Sequence, residues 1–203
     1  MNLFLVAVLS YFCGSIPFGL ILTKFFSKID IRKIGSGNIG TTNVLRTGNK
    51  FLAFVTLTLD ALKGFVPVAI TLKLFPEFIY LSALLAFLGH IFPIWIRFKG
   101  GKGVATYLGI LFALSLQLSF LFIFTWIVVS LIFKFSSLSS MFSSLTVLVV
   151  TLIKDTALNS IDNNLTNHEN LTLILFIFFI LIIFTHRKNI SNLKNKTETK
   201  IKI

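Results

Sequence analysis

Long apolar runs, separated by short polar stretches that carry most of the positive charge, make up this chain. The runs fall at about 3–23, 51–72, 78–96, 103–133, 141–153 and 171–185. An α-helix rises about 1.5 Å per residue, so roughly 20 residues cross a hydrocarbon layer about 30 Å thick. Each of the first three runs fits one crossing. The run 103–133 is too long for one, and Ser115-Leu116-Gln117 near its middle offers a polar break that divides it into two short helices. The last two runs are short and need interfacial flanks or protein surroundings. The pattern predicts an all-α, polytopic membrane protein with seven transmembrane helices, and five as the alternative.

Composition supports a membrane protein rather than a large soluble core. Of the 203 residues 55% are hydrophobic, 24 are phenylalanine and 13% are charged, with a mean hydropathy of +0.91, outside the range of soluble domains. A net charge of +12 raises the question of nucleic acid, but that partner needs a soluble basic face, and here the cations cluster at the ends of apolar runs. They therefore report topology. No positive segment precedes the first run, so it reads as a first span rather than a cleaved leader. Lys24, Lys28, Arg32, Lys33, Arg46 and Lys50 follow it, placing the amino terminus outside and the loop 24–50 in the cytoplasm. Seven alternating spans then bring sixteen of the nineteen cations inside, among them the basic tail 186–203, so the carboxy terminus is cytoplasmic. One membrane domain over 1–203 is the expectation. The lone Cys13 excludes an intrachain disulfide.

The first cytoplasmic loop contains Gly35-Ser36-Gly37-Asn38-Ile39-Gly40-Thr41-Thr42-Asn43, which spells G-x-G-x-x-G. A dinucleotide fingerprint requires a strand before the glycines and a helix after them within a parallel sheet, and membrane spans flank these instead. Asp60 falls twenty residues on, but inside the next span, where Lys63 one turn later offsets its charge. This pair is either structural or serves to orient the site. The loop itself has the chemistry of a phosphate site. Its Gly37 and Gly40 admit close backbone approach, Ser36, Asn38, Thr42 and Asn43 are donors, and Arg46 is a fork for phosphate oxygens. A second such loop is Lys99-Gly100-Gly101-Lys102-Gly103, ahead of another helix. Taken alone it reads equally as a positive-inside connector; two glycine-rich cationic loops on one face suggest two phosphate groups. Two more polar clusters reach that face, Ser136-Ser137-Leu138-Ser139-Ser140 and His186-Arg187-Lys188-Asn189. Their ordinary readings are helix caps and a topology anchor. His90, within the third span, reads as a hydrogen-bonded structural residue.

Together, GSGNIGTTN, Asp60-x-x-Lys63-Gly64, Gly89-His90-x-x-Pro93, FKGGKGVAT, Ser137-Leu138-Ser139-Ser140 and HRKNI resemble the bacterial membrane-integral acyl-phosphate:glycerol-3-phosphate acyltransferases, from about Ser15 to Glu198. The resemblance implies a seven-helix enzyme of the inner membrane with a cytoplasmic active site. It would move a fatty acyl group from acyl phosphate to the 1-hydroxyl of glycerol 3-phosphate, releasing lysophosphatidate and phosphate, an early step of phospholipid synthesis. It implies functional roles for Ser36, Thr42, Arg46, Lys102, Ser137, His186 and Asn189, with no cofactor. The tail departs from the family's pattern H-R-x-N-I-x-R-L-x-x-G-x-E. Asn192 stands for the arginine and Lys196 for the glycine, while Leu193 and Glu198 are kept; Phe135 replaces a common tyrosine. These departures put the tail's contacts in question.

The residue inventory suits that chemistry. Acyl phosphate is already activated, so the protein has mainly to align a hydroxyl with a carbonyl and stabilise developing charge. No histidine is followed by aspartate at the H-x-x-x-x-D spacing of another acyltransferase class, and no metal motif is present. A phosphorylated-anion transporter would be expected to carry internal repeats, and a headgroup phosphotransferase clustered carboxylates; the sequence offers neither.

Overall fold

The computed structural model describes residues 1–159 and 169–201, in two compact units, Met1–Ser115 and Leu116–Ile203. Most of the polar connector expected over 155–170, His168 and the cation Lys202 lie outside the described residues. In the first unit, α1 (Asn2–Ser15) and α2 (Phe18–Ser27) are separated by Pro17, before which Ile16 is extended, as a residue preceding proline favours. The short α3 (Thr41–Leu45) follows the first glycine loop. Then come α4 (Lys50–Leu74), α5 (Ile79–Ile91) and α6 (Val104–Leu114). The α4 helix starts where the Asn49 side chain accepts from the Leu52 amide at 2.9 Å.

Glycines set the spacing in this unit. Where α4 meets α6, a Cβ on Gly64 would strike the Thr106 carbonyl and one on Gly109 the Ala61 carbonyl. The seam of α1 with α5 repeats the device with Gly14 against Ala86 and Gly89 against Tyr11, and the Ser10 and Ser82 hydroxyls meet there at 2.8 Å. Small residues and hydroxyl pairs hold helices together where hydrocarbon removes the hydrophobic drive. Lipid-facing exposure agrees, since Phe4, Phe51, Phe54, Phe120 and Phe124 are all more than half exposed.

The second unit contains α7 (Leu116–Phe133), α8 (Ser136–Asn159), α9 (Glu169–Thr185) and α10 (Arg187–Lys194). The expected break at Ser115 is there, since α6 ends at Leu114 and α7 begins at Leu116. The serine run differs from expectation. Ser136–Ser140 do not link two spans or merely cap one; they are the first turns of α8, where Ser139, Ser140 and Ser143 hydroxyls donate to the Phe135, Ser136 and Ser139 carbonyls at 2.7–2.9 Å. Such back-bonding lets serine run through a helix without an unpaired polar group. The beginning of the connector also differs, because α8 continues to Asn159 and buried Asp155 accepts a hydrogen bond from Thr172 of α9.

Among the described residues five stretches are long and apolar enough to cross a membrane: Asn2–Ser27, Lys50–Leu74, Pro76–Ile96, Leu116–Phe133 and Ser136–Thr156. Asn170–Thr185 with Arg187–Lys194, bent by 57°, gives a sixth if counted as one. A count of seven requires Val104–Leu114, 11 residues long, as a span of its own.

Candidate active site

The first glycine loop is organised around Asn43. This side chain is fully buried; its Oδ1 accepts from the Ser36 amide at 3.1 Å, and its Nδ2 donates towards the carbonyls of Ile31, Ile34 and Asn38 at 3.0, 3.0 and 2.7 Å. Asn43 was expected among the phosphate donors, but both ends of its amide are committed to the loop backbone, so it frames the loop rather than presenting a group to a ligand. Asn38 Oδ1 likewise accepts from the Gly40 amide at 3.2 Å. Gly35 and Gly37 are left-handed, φ 54° and 71°, which glycine adopts without strain. Arg46 folds back so that its Cδ lies 2.8 Å from where a Gly35 Cβ would be. Ser36, Thr42 and Arg46 remain exposed. Just upstream, Arg32 donates to both oxygens of Asp30, at 2.9 and 2.6 Å. These bonds hold the Asp30 carboxyl below the usual carboxylate range and raise the Arg32 guanidinium.

The second loop lies on the end of α5. The Gly100 and Gly101 amides donate to the Ile91 and His90 carbonyls at 3.0 and 3.1 Å, and any Cβ on Gly101 would collide with His90 Nε2. Gly103, left-handed at φ 81°, opens α6. Lys102 is half-buried and Lys99 exposed. Beneath the loop, His90 Nδ1 is 2.9 Å from the Thr106 hydroxyl and 3.9 Å from Asp60 Oδ1. Asp60 pairs with Lys63 at 2.7 Å, and Lys63 Nζ donates to the Ile16 carbonyl at 2.7 Å. All four side chains are at most 3% exposed. The pair anticipated from the i, i+3 spacing thus belongs to a chain of polar contacts joining the α1–α2 junction, α4, α5 and α6 under the second loop.

The two loops are neighbours. Ile96, just before the second, packs against the apolar cluster that joins Ile31, Ile39 and Val44 around the first to Leu20 of α2. Ser36, Lys99 and Lys102 on these loops, with Thr42 in and Arg46 at the end of the short helix α3 that follows the first, therefore lie in adjoining segments of one unit.

Ser137, His186 and Asn189 belong to the second unit. His186 is buried at the bend between α9 and α10. Its Nδ1 lies 2.8 Å from the Ile182 carbonyl, which can only accept, so Nδ1 carries a hydrogen and a neutral His186 has its lone pair on Nε2. Ser137 and Asn189 meet at one acceptor. Glu198 Oε1 receives the Ser137 hydroxyl at 3.0 Å and the Asn189 amide at 2.5 Å, and Oε2 takes Asn192 at 3.4 Å. The tail is also fastened by the Ile201 amide to the Lys134 carbonyl at 2.7 Å and by Lys200 over the Phe135 ring. At the two departures, Asn192 donates to Glu198 and Lys196 takes the left-handed conformation, φ 59°, which a glycine would adopt without strain.

A family model described as glycerol-3-phosphate acyltransferase matches residues 4–196. The chain belongs to that family. A curated glycerol-3-phosphate acyltransferase of Pelagibacter ubique (strain HTCC1062) is 52% identical over 204 residues, covering 100% of both chains. Another from Brucella anthropi is 46% identical over 194 residues, covering 96% of this chain and 90% of the relative. The crystal structure of PlsY (YgiH), an integral membrane glycerol 3-phosphate acyltransferase, in its glycerol 3-phosphate form matches with a TM-score of 0.90 at 31% identity, over 100% of this chain and 96% of that one. Its lysophosphatidic acid form gives 0.87 at 30% identity over the same shares. This acyltransferase is therefore a multi-pass integral membrane protein. Its Glu198 was not among the candidate residues. The retained tail spacing was the signal for it, and only the fold brings it to Ser137, 61 residues away in the chain.

Proposed function

We propose that this chain, as one domain over 1–203, transfers a fatty acyl group from acyl phosphate to the 1-hydroxyl of glycerol 3-phosphate. The observation that carries the reading is the pair of adjoining cationic glycine loops, one framed by Asn43 and the other seated on His90, in a member of this family. The first loop, through Ser36, Gly37, Asn38, Gly40, Thr42 and Arg46, holds one phosphate; Lys102, Lys99 and the backbone of Gly100, Gly101 and Gly103 hold the other. His186, Asn189 and Ser137 orient the acceptor. The glycerol oxygen bonds to the acyl carbon as the bond from that carbon to the phosphate oxygen breaks. The hydroxyl proton passes to His186 Nε2 or directly to the departing phosphate. The products are lysophosphatidate and inorganic phosphate. The clustering of cations supports seven spans with the amino terminus outside and the loops on the cytoplasmic side of the bacterial inner membrane.

The test is purified protein given glycerol 3-phosphate and, separately, acyl phosphate, acyl coenzyme A and acyl carrier protein. Phosphate release and lysophosphatidate formation with acyl phosphate alone are expected. Transfer from a thioester donor instead would overturn the donor assignment, and transfer from none the whole reading. His186→Ala separates the two proton routes, since near-normal turnover with an unchanged pH profile would remove His186 as the base.

A further inference from the structure

The first unit contains a cavity of about 500 Å3 that shares only Lys99 with the proposed substrate loops. Lys24 at the end of α2, Arg32 in the turn after it, Arg97 in the turn that follows Trp95, and Lys99 line it, with Leu20 and Trp95 as apolar surface. Among the described residues these four cations make one ion pair, Arg32 with Asp30. Cations that share a cavity without matching carboxylates repel one another, and an anion between them removes that cost. The wall is also fixed. The Trp95 indole nitrogen donates to the Ser15 hydroxyl at 2.8 Å and its ring lies 5.8 Å from Phe12. Arg97 and Phe98 are both held left-handed, φ 55° and 59°, which is costly for residues other than glycine and most so for a bulky one. Strain of this kind persists where the surroundings over-determine it, and it concentrates at ligand clamps.

A cationic wall facing a tryptophan and a leucine suits a ligand with a phosphate at one end and hydrocarbon at the other. Tryptophan beside lysine and arginine at the end of a span is also the chemistry of the lipid headgroup level. We infer that this cavity binds the phosphate ester of an anionic membrane lipid, with the phosphate among Lys24, Arg97 and Lys99 and the start of the apolar portion against Leu20 and Trp95. The cavity adjoins the proposed substrate loop through Lys99, but the inference rests on the cavity's own lining and not on the acyl-transfer reading.

The chain has two tryptophans, so Trp126→Phe leaves Trp95 as the sole reporter at the cavity. This protein, reconstituted in vesicles containing either phosphatidylglycerol or phosphatidylcholine with brominated chains at equal mole fraction, is expected to show stronger quenching by the anionic lipid. Lys24→Gln and Arg97→Gln should each lower the relative affinity for it about fivefold, the factor equivalent to the ~1 kcal/mol that a basic residue gains beside anionic lipid. Equal quenching by the two lipids overturns the inference without recourse to any charge variant. Loss of the preference on adding glycerol 3-phosphate or inorganic phosphate makes the site one for a free phosphate group and overturns the lipid assignment. A preference that survives both charge removals places the selectivity elsewhere and also overturns it.

Discussion

Removing the Glu198 carboxylate is expected to disable this acyltransferase through Ser137 and Asn189. In Glu198→Ala, the Ser137 hydroxyl, 1% exposed, and the Asn189 amide, 9% exposed, both lose the acceptor they share. A buried polar group left without its partner costs about 1–3 kcal/mol. The two losses share one carboxylate and do not simply add, so about 3 kcal/mol in all is the reasonable sum. If the whole of that falls on the alignment of the reacting groups, it corresponds to about a hundredfold in kcat, at roughly 1.4 kcal/mol per factor of ten. Glu198→Gln keeps one carbonyl oxygen of the right reach and is expected to lose about tenfold.

The assay is acyl transfer with glycerol 3-phosphate varied, combined with hydrogen exchange over 187–201. Loss concentrated in kcat, with faster exchange in the tail, is the expected pattern. The Ile201 bond to Lys134 and the Lys200 contact with Phe135 do not involve Glu198, so the tail should loosen without detaching. Wild-type kcat in Glu198→Ala with a loosened tail would refute the positioning argument. Unchanged exchange would refute the clasp itself.

Asn43→Ala removes the frame of the first loop while leaving Ser36, Thr42 and Arg46 in place; the KM for glycerol 3-phosphate is expected to rise at least about tenfold, since buried amide bonds to three carbonyls are lost at about 1 kcal/mol or more each. Lys196→Gly relieves a left-handed lysine that costs about 1–2 kcal/mol, partly offset by the greater freedom of glycine in the unfolded chain, so slower amide exchange over 195–201 is expected at unchanged kcat. Asp60→Ala leaves Lys63 charged in a site 3% exposed and should cost about 3–5 kcal/mol of stability; Asp60→Leu combined with Lys63→Met should cost less in thermal unfolding in detergent, although it loses the Lys63 bond to Ile16.

What could be read along the chain was what depends on near neighbours. The break at Ser115 stands out because a polar pair interrupts an apolar run, and Asp60 with Lys63 because three residues make one helical turn. The serines of 136–140 misled for the converse reason: a polar run resembles a stretch between spans, yet the Ser139 and Ser140 hydroxyls return to carbonyls one turn back and leave the helix intact. Asn43 was legible as a polar loop residue but not as a buried one, because its burial depends on the Ile31, Ile34 and Asn38 carbonyls converging on it. Glu198 lay in a tail whose excess of lysine reads as solvated, and its partner Ser137 is brought to it by the fold alone.

The buried polar chain in the first unit bears on why loops proposed to hold phosphate need a membrane scaffold of this kind. A loop that is to hold a phosphate must present cations without carboxylates to neutralise them, and such a loop gains little by folding on itself. Its order has to come from below. For the second loop it comes from α5, where the His90 and Ile91 carbonyls receive the glycine amides, and α5 is in turn tied to α4 and α6 through Thr106 and Asp60. A purely apolar contact would hold these helices together but would let them slide, because hydrocarbon packing is nearly indifferent to small displacements, whereas a hydrogen bond weakens steeply with angle and distance. The Asp60–Lys63 pair costs desolvation, and what that cost secures is register: Lys63 reaches the Ile16 carbonyl beside Pro17, at the head of the segment leading into the first loop. The same two side chains thus fix the base from which both loops depart, which is why a change at Asp60 should be felt at Lys102 and at Arg46 alike.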